Sequence, residues 1–235
     1  MALSVKNIAI GVVVFVLIIC IIRWIMGDNT KLSGLNDAKK VTKISSQDLE
    51  QSNASNYAYS AWFYVDDWSY RYGEPKMILG RLDSDLNPSP SIVLGAIEND
   101  LKIETTVYPS SNSTSGSTHT CNVANVPIQK WVNVIISLYG RTMDVYIDGK
   151  LVRTCVLPGV AKVDSGANVT LTPGGGFSGY TSSFKFFDSA LNPQQAYNVY
   201  KEGYGGSSLL GNLFNKFRLR ISFMNNERTV NSFEI

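Results

Sequence analysis

Histidine is almost missing from this sequence and cysteine is scarce: the 235 residues hold one His, His119, and three Cys, Cys20, Cys121 and Cys155. No second Cys or His stands at ligand spacing from Cys121 or Cys155, which excludes the usual zinc sites; no resident metal or other cofactor is expected. Nucleophilic catalysis of the Ser-His-acid or Cys-His kind would have to rest on His119 alone, and no set in the order of a known hydrolase accompanies it. Charge is sparse too, with 17% charged residues and a formal net charge of +2. No block of Lys and Arg is interleaved with aromatics, so the electrostatic field and stacking channel of a nucleic-acid binder are both lacking.

The first feature present is an apolar run at residues 8–26, IAIGVVVFVLIICIIRWIM. A helix rising about 1.5 Å per residue needs roughly 20 such residues to cross a ~30 Å hydrocarbon core. The run reaches that length with Arg23 snorkelling to the membrane interface beside Trp24. It is longer than the apolar part of a usual signal peptide, and no small-x-small cleavage site lies close behind it. Residues 1–27 are therefore expected to be an uncleaved transmembrane anchor. Lys31, Lys39, Lys40 and Lys43 on its carboxyl side favour the cytosolic face for the remainder of the chain. Three sequons, beginning at Asn53, Asn112 and Asn168, would be used only on the other face.

Residues 28–55 are polar, poor in aromatics and without a clean hydrophobic period, and read as a stalk. From residue 56 to 235 the chain reads as one domain, with about 200 residues being enough for a single sizeable core. NYAYSAWFYVDDW alternates, PSIVLGAI and LKIETTVY flank an Asn99-Asp100 turn, and WVNVIISLY, MDVYIDGKLVRTCVL and FSGYTSSFKFF come at similar intervals. Many short strands with Gly, Pro, Asn and Asp between them define an all-β antiparallel sandwich or barrel. Asp148-Gly149 is a preferred type I′ turn and pairs MDVYI with KLVRTCV. One short helix is expected where Asn192 caps, Pro193 opens and Gly203 ends a polar run. Phe217, Leu219, Ile221 and Phe223 keep a period of two, which predicts a terminal strand pair returning to the sheet. Cys121 and Cys155 are either two separate buried thiols or a disulfide clipping strands together.

Three segments carry a resemblance. YSAWFYV at 59–65 with MILGR at 77–81, the Trp131 strand leading into DVYIDGKLV at 144–152, and FSGY at 177–180 with ALNP at 190–193 and YKEG at 200–203 resemble, in order and in kind, the laminin-G-like, concanavalin A-like jelly-roll domains. The resemblance covers roughly residues 55–205. A closer likeness is to the membrane-anchored concanavalin A-like proteins of large algal DNA viruses, which place Cys-x-Val before Pro-x-x-x-Trp and a second Cys after a Gly-Lys-Leu-Val-Arg hairpin. Here those are Cys121, Pro127 to Trp131, and Gly149 to Cys155. It implies a Cys121–Cys155 disulfide and a minor capsid protein in the virion, anchored in the membrane beneath the shell. Its partners would be the lipid bilayer and capsid proteins; the alternative is a membrane-displayed, glycan-binding adhesion module.

Glycosidases of that superfamily carry alternating acids on one strand, two carboxylates about 5.5 Å apart serving as nucleophile and acid. The nearest set here, Glu98, Asp100 and Glu104, is spaced too widely and straddles the Asn99-Asp100 turn, so the protein is expected not to be an enzyme. Relatives that bind calcium use loop oxygens. Asp66-Asp67 and Asp83-Ser84-Asp85 supply only part of the six to eight required, and ordinary turn and cap roles are expected of them. Trp68, Tyr70 and Tyr72, three aromatics within five positions of a polar connection, are the candidate binding loop, for sugar or for protein.

Overall fold

The computed structural model describes residues 14–18, 21, 31–108, 116–205, 220–225 and 228–234. Residues 14–18 and 21 are helical and exposed; the rest of the expected anchor, with Arg23 and Trp24, lies outside the described residues, as does Asn112. Among the described residues no helix is long and apolar enough to cross a membrane.

Two antiparallel sheets are stacked face to face. One runs β1 (Lys31–Ser33), β14 (Ser178–Phe187), β4 (Tyr57–Asp67), β9 (Trp131–Tyr139), β10 (Thr142–Ile147) and β11 (Lys150–Val156), with β2 (Asn36–Asp37) also on β14. The other runs β12 (Val160–Ala161), β7 (Leu101–Tyr108), β6 (Pro88–Leu94), β5 (Lys76–Leu82), β13 (Val169–Leu171) and β3 (Thr42–Ile44), with β8 (Ser117–Val123) on the far side of β7. Period-two side chains face each other across the gap: Tyr57, Tyr59, Ala61, Phe63 and Val65 of β4 and Val132, Val134 and Ile136 of β9 meet Ile78, Ile92, Leu101 and Ile103.

The Asp148-Gly149 turn has φ of 50° and 72° at its two residues, the left-handed pair that a type I′ turn demands, and sets Ile147 opposite Lys150. The helix α1 (Pro193–Lys201) opens with a capping box in which Asn192 and Gln195 each bind the other's backbone N–H. It lies on the outer face of the first sheet, where Ala196 and Val199 join Ala58, Ile135, Tyr146 and Leu191 in a second small core.

Two expectations change. The segment read as a stalk is built into the sandwich: its residues form β1, β2 and β3 at the edges of both sheets, and Ala38, Ile44 and Leu49 are buried in the core. The terminal strands β15 (Arg220–Asn225) and β16 (Arg228–Glu234) pair with each other alone and form a separate two-stranded sheet rather than returning to the sandwich.

Cys121 of β8 and Cys155 of β11 are joined in a disulfide, with Cα atoms 6.2 Å apart. The two strands belong to different sheets, so the bridge ties one layer to the other along an edge. The interior also holds Arg81, 1% exposed, which donates to Tyr59 Oη (3.1 Å), Ser52 O (3.0 Å) and Ala167 O (3.1 Å).

Asp83 closes the turn between β5 and β6. Its carboxylate accepts from Lys162 Nζ, from Asn87 Nδ2 and from the backbone of Asp85 and Asn87. The Lys162 ammonium, and then Asn87, hold the Asp83 carboxyl well below the usual carboxylate range, and the same pairing raises Lys162. A carboxyl depressed in the fold stabilises it above the unfolded value of about 4 and loses that contribution as pH falls through the lower folded value. Asp83→Asn is therefore expected to lower the urea midpoint at pH 7, with the gap to the parent narrowing below about pH 4. A gap of constant size down to pH 2 would contradict the assignment.

Candidate functional site

The outer face of the first sheet is half covered. Alternation along β4 places Trp62, Tyr64 and Asp66 on this side, opposite the core residues Phe63 and Val65. β9 adds Trp131 and Asn133, and β14 adds Tyr180 and Ser182. The α1 helix shields the lower part. Beyond its end Gly203, at φ 75°, turns the chain so that Tyr204 lies across the sheet, where its carbonyl accepts from Ser182 Oγ (2.8 Å).

An aromatic ladder results. Trp62 stacks on Tyr200 (5.6 Å between centroids), Trp131 stacks on Tyr204 (4.6 Å, 7° between planes), and Tyr64 leans on Trp131 (5.8 Å). Its open end is a groove of about 440 Å³ lined by Leu35, Tyr64, Asp66, Trp131, Tyr180 and Tyr204. Leu35, on the β1–β2 connection, is 66% exposed, and Tyr180 is 47% exposed. Large apolar side chains held open to water by a rigid sheet, with a carboxylate and phenol hydroxyls around them, are equipped to bind the face of a molecule that is apolar on one side and hydroxylated at its edges.

The expected binding loop is used differently. Trp68 donates from Nε1 to Ile97 O (2.9 Å), is half-buried against the core and carries Lys76 Nζ over its ring at 4.7 Å. Tyr70 donates to Gly175 O (3.2 Å) beneath the Lys39 ammonium. Both rings therefore pin their loop to its neighbours, and only Tyr72, 60% exposed, stands out in solvent. Of the acidic candidates, Glu98 is exposed in the β6–β7 connection and Asp100 is half-buried there, whereas Glu104 lies on β7 and accepts from Ser91 Oγ at 3.4 Å. Asp67 accepts from the backbone and hydroxyl of Ser69. Among the described residues no three His, Cys, Asp or Glu side chains gather at metal-binding range.

The groove residues lie far apart in sequence, from Leu35 to Tyr204, and no local cluster marks them. The available signal was the alternation of β4, which puts aromatics on both of its faces, one more set than a single core needs.

Two stacked antiparallel sheets with this strand order define the class of jelly-roll sandwiches. The family described as the Concanavalin A-like lectin/glucanases superfamily matches residues 36–196, and the chain belongs to it. No curated protein matches the chain in sequence. Among solved structures, it is similar to the binding domain of botulinum neurotoxin DC in complex with rat synaptotagmin II, at a TM-score of 0.51 and 15% identity over 71% of this chain and 42% of that one. The same neurotoxin's binding domain in complex with SialylT gives 0.52 and 16% over 71% and 42%. The botulinum neurotoxin serotype G binding domain gives 0.52 and 11% over 72% and 46%. At these identities the likeness is one of fold, and the chain spans less than half the length of those structures.

Proposed function

We infer that this protein is a non-enzymatic recognition module that binds glycans through the groove on its outer sheet face. The observation that carries the reading is the groove itself: Tyr64, Trp131, Tyr180 and Tyr204 converge from three strands and a helix end around about 440 Å³ of open space, with a carboxylate at the rim. The family's description as lectin and glucanase domains supports sugar over other small ligands. So do binding domains of like fold solved with SialylT. Against catalysis, Glu98 and Asp100 sit in a connection away from Glu104, on the other sheet from the groove.

The apolar run at 8–26 supports display from a membrane. The Cys121–Cys155 disulfide favours an oxidising side of that membrane over the reducing cytosol. The resemblance to anchored proteins of algal viruses supports a second setting, a virion in which the domain links the shell to the membrane beneath it. In that setting the groove would receive a capsid protein.

A glycan array with the purified protein tests the main reading. Binding is expected, and Tyr180→Ala, at an exposed rim position, is expected to weaken it roughly tenfold without changing the thermal melt. An array with no bound sugar, together with co-purification of the protein with capsid proteins, would overturn the glycan reading in favour of the shell-linking one.

A further inference from the structure

Resting on the glycan reading, we propose that the groove selects an uncharged sugar that presents two neighbouring hydroxyls beside an apolar C–H face, and discriminates against acidic sugars. Among the described residues Asp66 is the only charged side chain in the lining. Its neighbour Asp67 is spent on Ser69, and Asp83 and Asp148 are spent on Lys162 and Lys130, whereas the Asp66 carboxylate makes no hydrogen bond or ion pair among the described residues. It is exposed and ends the outward row Trp62, Tyr64, Asp66. A free carboxylate offers two oxygens with no donor of their own, and charge-assisted O–H···O⁻ bonds from adjacent sugar hydroxyls are the shortest and strongest it can accept.

Four cations on neighbouring elements are held elsewhere. Lys130, next to Trp131 in the chain, bonds Asp148 at 3.0 Å. Lys39 covers the Tyr70 ring at 4.7 Å. Lys185, five residues along β14 from Tyr180, bonds Glu202 at 2.6 Å. Arg71 is engaged by Glu74 and by the carbonyls of Gly174 and Gly176. A carboxylated or sulfated sugar in the groove would therefore meet an anion with no compensating cation among the described residues of the lining, while the negative faces of the four aromatic rings attract polarised C–H groups and repel anions.

The matched probes are methyl β-glucoside and methyl β-glucuronide, with the galactoside and galacturonide as a second pair; within each pair the ring is the same and only the C6 group differs. Isothermal titration of the full-length protein at low salt is expected to show each neutral member binding at least tenfold more tightly than its acidic partner. Asp66→Asn, an exposed change, is expected to weaken the neutral sugars about tenfold and to bring the ratio within each pair close to one. Uronides that bind as well as the neutral sugars, or a ratio unchanged in Asp66→Asn, would overturn the selectivity while leaving sugar binding in place. No binding by any sugar of a wider neutral panel at millimolar concentration would overturn the glycan reading and this inference together.

Discussion

A protein that begins at Asn56 is expected not to fold, whereas one that begins at Lys31 keeps the native melt. The segment between them is polar, and its strands are only two or three residues long, but it is fixed at many points. β1 and β2 extend the first sheet on β14, and β3 extends the second on β13. Between them Ala38 donates to Gly179 O (2.9 Å) and accepts from Phe177 N (3.3 Å). Gly176, at φ 46°, permits that approach, since a Cβ there would lie 2.0 Å from Ala38 O. Ile44 and Leu49 are 5% and 4% exposed, and deleting such side chains typically costs 2–5 kcal/mol each. The loss also strips Arg81 of Ser52 O inside the sandwich, leaving a buried cation under-bonded. Together these losses rival the whole stability of an ordinary domain, about 5–15 kcal/mol. Circular dichroism melts of the two truncations decide the matter; equal Tm values would show that the segment is an accessory.

That segment shows where the sequence stops being informative. The strands β4, β9 and β10, the Asp148-Gly149 hairpin and the Asn192 cap were legible because each states its structure locally, in period-two apolar residues, a left-handed turn pair or a side-chain oxygen before Pro193. Edge strands of two or three residues carry no period, and residues 31–49 bury only scattered side chains such as Ala38, Ile44 and Leu49 while the backbone does the pairing. The candidate loop shows a related limit. Trp68, Tyr70 and Tyr72 are close in sequence, and closeness says nothing of whether a ring faces water: Trp68 and Tyr70 proved to be fastenings. The groove assembles Leu35, Tyr64, Trp131, Tyr180 and Tyr204 from strands that meet only through the sheet order, which nothing in a single sequence states. Asp83 behaved as an ordinary turn residue, but its partner Lys162 is 79 positions away and could not be read beforehand.

Replacing Cys121 and Cys155 together with Ser is expected to lower stability by about 4 kcal/mol, from the chain entropy returned to the unfolded state when a loop of 34 residues is opened. For a domain of this size that is a fall in Tm of roughly 10 °C. The position of the bridge gives the loss a local character as well. Among the described residues β8 hydrogen-bonds only to β7 and β11 only to β10, so each is held to its own sheet on one side. The disulfide is the covalent link between these two edges, and both cysteines are buried. Opening should therefore begin there, and hydrogen exchange in the double variant should rise first in residues 117–123 and 150–156 while β4 and β9 stay protected. The groove lies on β4, β9 and β14, away from this edge, so sugar affinity at 25 °C should be unchanged in the variant. Reductant added to the parent protein should reproduce the lower Tm. Labelling of both thiols in denatured, unreduced protein, or a variant that melts with the parent, would refute the link and with it the argument for an oxidising compartment.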